Sequence, residues 1–113
     1  MPYTDPGLKA AVDGIAAAGS RISFHTADPG TTGASEVSGT GRPATTWAAG
    51  TAGTRVGSEV SAPIPAGTTI THWGIWTAAT GGTFLFGGPL PAAETFGSAG
   101  TQRHTPTLSF SNA

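Results

Sequence analysis

The ten residues from Thr68 to Thr77 constrain the fold of this chain more than any other stretch. Thr69, Thr71, Trp73, Ile75 and Thr77 alternate with Ile70, His72, Gly74 and Trp76, the period of two that side chains follow along a β-strand. Large apolar groups stand in both sets, so the strand is expected to lie in the middle of a sheet, covered on both faces.

The expected partners of that strand are short. From Arg21 the chain alternates again, with Ile22 and Phe24 on one side and Arg21, Ser23 and His25 on the other. Ala44 to Ala48 around Trp47, and Thr54 to Ser61 around Val56 and Val60, read as two strands separated by a small-residue turn over 49–53. Ile64-Pro65-Ala66-Gly67 makes the turn into the central strand, because Pro presets φ and Gly supplies the permissive position. Thr80-Gly81-Gly82 then predicts a tight hairpin into Thr83-Phe84-Leu85-Phe86, and Gly87-Gly88-Pro89 is expected to break the pairing. A Pro-, Ala- and Gly-rich connection from Pro89 to Gly100, containing Phe96, leads to a last strand from Thr107 to Ser111 with Leu108 and Phe110 on one face. Thr105-Pro106 sets an edge or a bulge before it.

A length of 113 residues with 18 Gly and 9 Pro fits one domain, residues 1–113, with turn signals every eight to twelve residues and no room for a second core. The fold class expected is all-β: a small β-sandwich, or a jelly-roll-like barrel, of about seven short strands. One helix is added to it. Leu8, Ala11, Val12, Ile15 and Ala16 recur at helical spacing over 6–18, behind an Asp5-Pro6 start and before Gly19. Gly14 weakens this helix by about 1 kcal/mol relative to Ala, so it must pack on a neighbour.

The segment 26–43 carries no apolar period. Asp28-Pro29-Gly30 opens it as a turn, and Gly, Ser and Thr fill it to Gly41. A loop of this length is expected to be functional or pinned by another subunit, which makes it the candidate contact surface.

Charge argues in the same direction. Charged residues are 10% of the chain against roughly 25% in ordinary soluble domains, so the surface suits repeated packing against neighbours. A net charge of -1 with five dispersed basic residues gives no footprint for nucleic acid. No segment approaches a membrane span, the N-terminus is expected to carry no secretion signal, and the absence of Cys removes disulfides and thiolate metal sites.

Chemistry finds little support. His25 and Asp28 are three apart, but no His-x-His or His-x3-His pair accompanies them, and an Asx turn beside a histidine accounts for the pair. His72, within the central strand, reads as a histidine satisfied in the core or at an interface. There is no Gly-x-Ser-x-Gly elbow, and neither Gly30-Thr31-Thr32-Gly33 nor Gly39-Thr40-Gly41 is followed by Lys-Ser/Thr. No catalytic residue, metal site or cofactor is expected. The three Trp and Tyr3 offer a glycan platform as the alternative function, although Trp47 and Trp76 fit a core better, since most Trp are largely buried. Arg42, Arg55 and Arg103 have Glu36, Glu59 and Asp28 as candidate ion-pair partners.

The run Ile22-Ser23-Phe24-His25-Thr26-Ala27-Asp28-Pro29-Gly30-Thr31-Thr32-Gly33-Ala34-Ser35-Glu36-Val37, followed at a distance by Trp47, resembles a motif of small virion proteins from tailed phages of actinobacteria. Pro65 to Trp76 and Ala79 to Phe84 are similar to the same family, so the resemblance spans most of residues 8 to 90. The family commonly carries an aromatic-Ala-Arg triplet after the loop, where this chain has Thr40-Gly41-Arg42-Pro43-Ala44; the exit of the loop is expected to differ. The resemblance implies a non-enzymatic particle component, a minor tail or tail-fibre protein or a capsid decoration protein, assembled in the host cytoplasm and located in the virion. The expected partners are other virion proteins, of tail or capsid, and further copies of the chain, for instance in a trimer. The candidate contact residues are His25, Asp28, Pro29, Glu36 and Arg42 from the loop, and Leu8, Val12 and Ile15 from the helix.

Overall fold

The computed structural model describes residues 5–37, 40–48 and 54–109, with one helix, α1 (Asp5–Ala18), and seven strands. The strands are β1 (Arg21–His25), β2 (Thr54–Val56), β3 (Val60–Ile64), β4 (Thr68–Trp76), β5 (Phe84–Phe96), β6 (Gly100–His104) and β7 (Thr107–Ser109). They form an all-β arrangement of three antiparallel sheets: β1-β4-β5, β2-β7 and β3-β6. The strand predicted over 68–77 is β4, and it is the middle strand of its sheet.

Burial explains why β4 takes that place. Ile70 and Ile75 are fully enclosed and Trp73 nearly so, together with Ile22 and Phe24 of β1, Ile64 of β3 and Leu108 of β7. Each such side chain contributes about 1.5–3 kcal/mol by leaving water. The core is thus shared by all three sheets. α1 adds Val12, which is completely buried, and Ile15, which packs against the same cluster. The helix closes at Gly19, whose N–H donates to Ile15 O (3.0 Å), and Asp13 ties it to β2 through Arg55 (3.2 Å).

Four expectations need correction. The strand expected over 54–61 is two strands, separated at 57–59, and they pair with β7 and β6 respectively. The break lies opposite Thr105-Pro106: Pro106 has no N–H to give the ladder, and its carbonyl instead accepts from Gly57 N (2.8 Å). The strand expected over 44–48 is reduced to isolated bridges at Ala44 and Trp47, because this segment changes partner along its length. Pro43 O and Thr45 N bond to residues 22 and 20, while Thr46 O and Ala48 N bond to residues 58 and 56.

The pairing of β5 does not stop at Gly87-Gly88-Pro89 but runs on to Phe96. β5 is an edge strand, where prolines are tolerated, and it absorbs the irregular sequence as a bulge. Residues 90–93 stand opposite Thr71 alone, between the pairs Ile70–Glu94 and His72–Pro89. What reads as a connection from Pro89 to Gly100 is therefore largely strand, and it leads into β6, a strand without an apolar alternation. The β4–β5 hairpin exists, with its connection over 77–83 closed by Thr77 N to Thr83 O (3.1 Å) and Thr83 N to Thr77 Oγ1 (2.8 Å). Tyr3, Phe110, Ser111 and the turn over 49–53 lie outside the described residues.

Candidate functional site

β1 exposes neither of its faces. Ile22 and Phe24 point into the core, and Ser23 and His25 on the opposite side are also fully buried. The cover is the first part of the 26–43 loop, which turns back on itself and lies over the three-stranded sheet. Thr26 N donates to Ser35 O (3.1 Å), and Val37 N to Phe24 O (2.9 Å), so residues 36–37 run back along the end of β1. Within the turn, Gly33 N and Ala34 N both donate to Pro29 O (3.1 and 3.2 Å), and Pro29 is enclosed. Asp28 Oδ1 accepts from Gly30 N (2.8 Å), the Asx turn that the sequence suggests.

Two glycines make the close approach possible. Gly33 has φ 77°, a left-handed conformation that side chains disfavour, and it sits against the six-membered ring of Trp76 where a Cβ would collide. Gly74 of β4 faces Ser23 in register; a Cβ there would come within 2.7 Å of the Phe84 ring and 2.9 Å of Ser23 Oγ.

Beneath the loop runs a chain of polar contacts. Trp76 Nε1–H donates to Ser23 Oγ (2.9 Å), Ser23 Oγ lies 2.7 Å from His25 Nε2, and His25 Nδ1 lies 2.7 Å from Ala34 O. A backbone carbonyl can only accept, so Nδ1 carries the proton; in the neutral ring Nε2 is then bare, and the Ser23 hydroxyl donates to it. Burial lowers the His25 pKa below its ordinary 6.5, opposed by the Ala34 carbonyl and Glu36 and reinforced by His72 and Arg42.

The exit of the loop is fixed by Arg42. Its Nε and Nη2 donate to the two carboxylate oxygens of Glu36 (both 2.8 Å), and its Nη1 donates to Gly81 O (2.8 Å) and Ala78 O (3.2 Å). The guanidinium carbon stands 3.7 Å from the centre of the Trp76 ring, a cation–π stack. One side chain thus joins the loop to the 77–83 connection, beside a shallow cavity of about 280 Å3.

The structure therefore brings together five of the candidate contact residues: His25, Asp28, Pro29, Glu36 and Arg42. His25 and Pro29 are enclosed beneath the loop, Glu36 and Arg42 are partly covered, and Asp28 is exposed. Thr26, Ala27, Gly30 to Thr32, Ala34 and Ser35 share the outer surface with it. Of the helix residues, Val12 is in the core, Ile15 is half-buried, and the side chain of Leu8 lies outside the described residues. Arg42 takes the Glu36 partner foreseen for it; Arg55 pairs instead with Asp13, and Arg103 lines a cleft with Glu59. Sequence reasoning missed Ser23, Gly74 and Trp76 as parts of this site; the grouping of Ser23 and His25 on one face of β1 was the available signal.

Among the described residues no group of three or more His, Asp or Glu could hold a metal ion, and no helix is long and apolar enough to cross a membrane. A family model described as podophage GP4 fiber I protein gp80 matches residues 10–107, which includes the loop, all seven strands to Thr107 and most of α1. No curated protein matches the chain.

Proposed function

The chain belongs to the podophage GP4 fiber I protein gp80 family, and from that premise we propose that it serves as a tail-fibre or minor-tail component of an actinobacterial phage. As a member it is a non-enzymatic virion structural protein of fibre type. In the proposed role it is made in the host cytoplasm and assembles through contacts with other virion proteins and with its own copies, as a trimer. We read its three sheets as a small sandwich, because β1 and β4 share one core with β3 and β7.

The observation that supports assembly through the loop is its construction. Residues 26–37 are ordered by internal bonds before any partner arrives, so little conformational entropy remains to be lost on docking. Their outer surface is nearly uncharged and built of small side chains, which allows close approach. Size-exclusion chromatography with light scattering is expected to give an oligomer, and cross-linking of purified particles is expected to join residues 26–35 to a neighbouring subunit. A stable monomer with no cross-links from that loop would refute the reading. The same cross-links separate a tail position from a place on the capsid shell.

A second reading, a glycan-binding module, draws on a cleft of about 400 Å3 where Glu59, Glu94, Gln102 and Arg103 offer hydrogen-bonding groups of both kinds. The aromatic platform for it is small: Trp73 is buried, Trp76 carries Arg42 on its ring, and Trp47 is half-buried with its N–H given to Gly19 O (3.0 Å). A glycan array with the isolated protein distinguishes the readings; tight binding by a monomer favours the second.

A further inference from the structure

We propose that His25 is a pH-sensitive latch: in its neutral form it holds the 26–37 loop down on the sheet, and its protonation releases that loop while the core stays folded. The inference does not depend on what the loop contacts in a particle.

The geometry leaves His25 one acceptable protonation state. Its Nδ1–H is committed to Ala34 O, a bond from the sheet to the loop, and its Nε2 accepts from Ser23. A second proton on Nε2 would force the Ser23 hydroxyl to turn away. Ser23 Oγ could then accept from both His25 and Trp76, but its own hydrogen would lose the acceptor it now has in Nε2. A buried donor left without a partner carries a penalty of about 1–3 kcal/mol.

The surrounding charges relieve this only in part. From the loop, Glu36 faces the ring, but both its oxygens are taken by Arg42. From the loop exit Arg42, and from β4 His72, which stands opposite His25 in register, both disfavour a further positive charge. β5 presents the Phe84 ring edge-on, with centroids 6.1 Å apart. An imidazolium formed here would be enclosed without a free counter-charge, and lifting the loop is the way to hydrate it, because Ala34 and its neighbours are the cover.

The latch should therefore be read locally. With the loop open, His25 regains a pKa near 6.5. By linkage the open population then rises by up to about 30-fold between pH 7.5 and pH 5. Amide exchange, corrected for its intrinsic pH dependence, is expected to show that rise at Thr26, Gly33, Ala34 and Val37, with the β1–β4 amides unchanged. Nitrogen-15 NMR of the imidazole is expected to show the Nδ1–H tautomer at pH 7.5, and the titration of His25 to coincide with loop opening. Ser23→Ala, which removes the hydroxyl conflict, is expected to raise the pH at which His25 titrates while shrinking the loop opening that accompanies it, and His104→Gln to leave both in place. Loop protection that stays constant over this range, or that changes together with the β1–β4 amides, would overturn the latch; so would an Nε2–H tautomer at pH 7.5.

Discussion

Arg42 offers the sharpest test of how the loop is held, because one guanidinium makes four hydrogen bonds and a ring stack at its exit. Its side chain is only 11% exposed and that of Glu36 is 24% exposed, so solvent screening reduces the pair without abolishing it. Arg42→Lys keeps the charge but cannot reach both Glu36 oxygens and the two carbonyls of the 77–83 connection at once. The expected loss of stability is about 1–2 kcal/mol. Arg42→Ala also removes the cover over Trp76, a contact contributing about 0.5–2 kcal/mol, and the total expected loss is about 2–4 kcal/mol. The assay is urea unfolding followed by Trp fluorescence, since Trp76 is the ring beneath the guanidinium. In a double-mutant cycle, Arg42→Ala with Glu36→Gln is expected to show coupling of about 1–2 kcal/mol. A loss below about 0.5 kcal/mol for Arg42→Ala, within the range of an ordinary surface change, would refute the claim that this side chain fastens the loop.

Gly14 lies exposed in α1 with nothing within 4 Å of an added Cβ, so Gly14→Ala is expected to raise stability by about 0.5–1 kcal/mol in the same urea assay. Gly33→Ala combines a left-handed backbone with a collision against Trp76 and is expected to lower stability by about 1–3 kcal/mol, with a change in Trp fluorescence of the folded state. Burial lowers the pKa of both His25 and His104, so below pH 6.5 the unfolded chain binds more protons than the folded one. Global stability is then expected to be flat above about pH 7 and to fall as pH drops through 6.5, by at most about 1.4 kcal/mol per pH unit for each histidine, until the lowered folded values are reached. Urea midpoints at pH 7.5, 6.5 and 5.5 check the sign; a rise toward acid would contradict it.

Much of the framework was legible in the residues because it follows local rules. The alternation of Thr68 to Thr77 places β4 in the centre, Asp28-Pro29-Gly30 turns as its composition requires, and the helix stops at Gly19. The misses share a different cause: they depend on partners far away in sequence. Gly87-Gly88-Pro89 reads as a break, and only the edge position of β5 makes a bulged strand tolerable there. β6 has Gln102 and His104 on its inward side, so no apolar period announces it. Thr54 to Ser61 is broken by what stands opposite, Pro106, rather than by its own residues.

The same distinction governs the loop. Its lack of apolar period was visible, and so was its separateness from the strands around it. That it covers Ser23 and His25 was not, because the cover depends on a glycine fitting an indole more than forty positions away. Arg42 then fastens the exit of the loop, to Glu36 and to the hairpin connection.

An electron-microscopy map of the purified phage particle at side-chain resolution decides whether this chain is a fibre component held through its 26–37 loop. Density for this chain is expected in the tail or its fibres, in symmetric copies, with the outer surface of residues 26–35 against a neighbouring subunit. Absence of the chain from purified particles, or its presence with that loop facing solvent in every copy, would contradict that role.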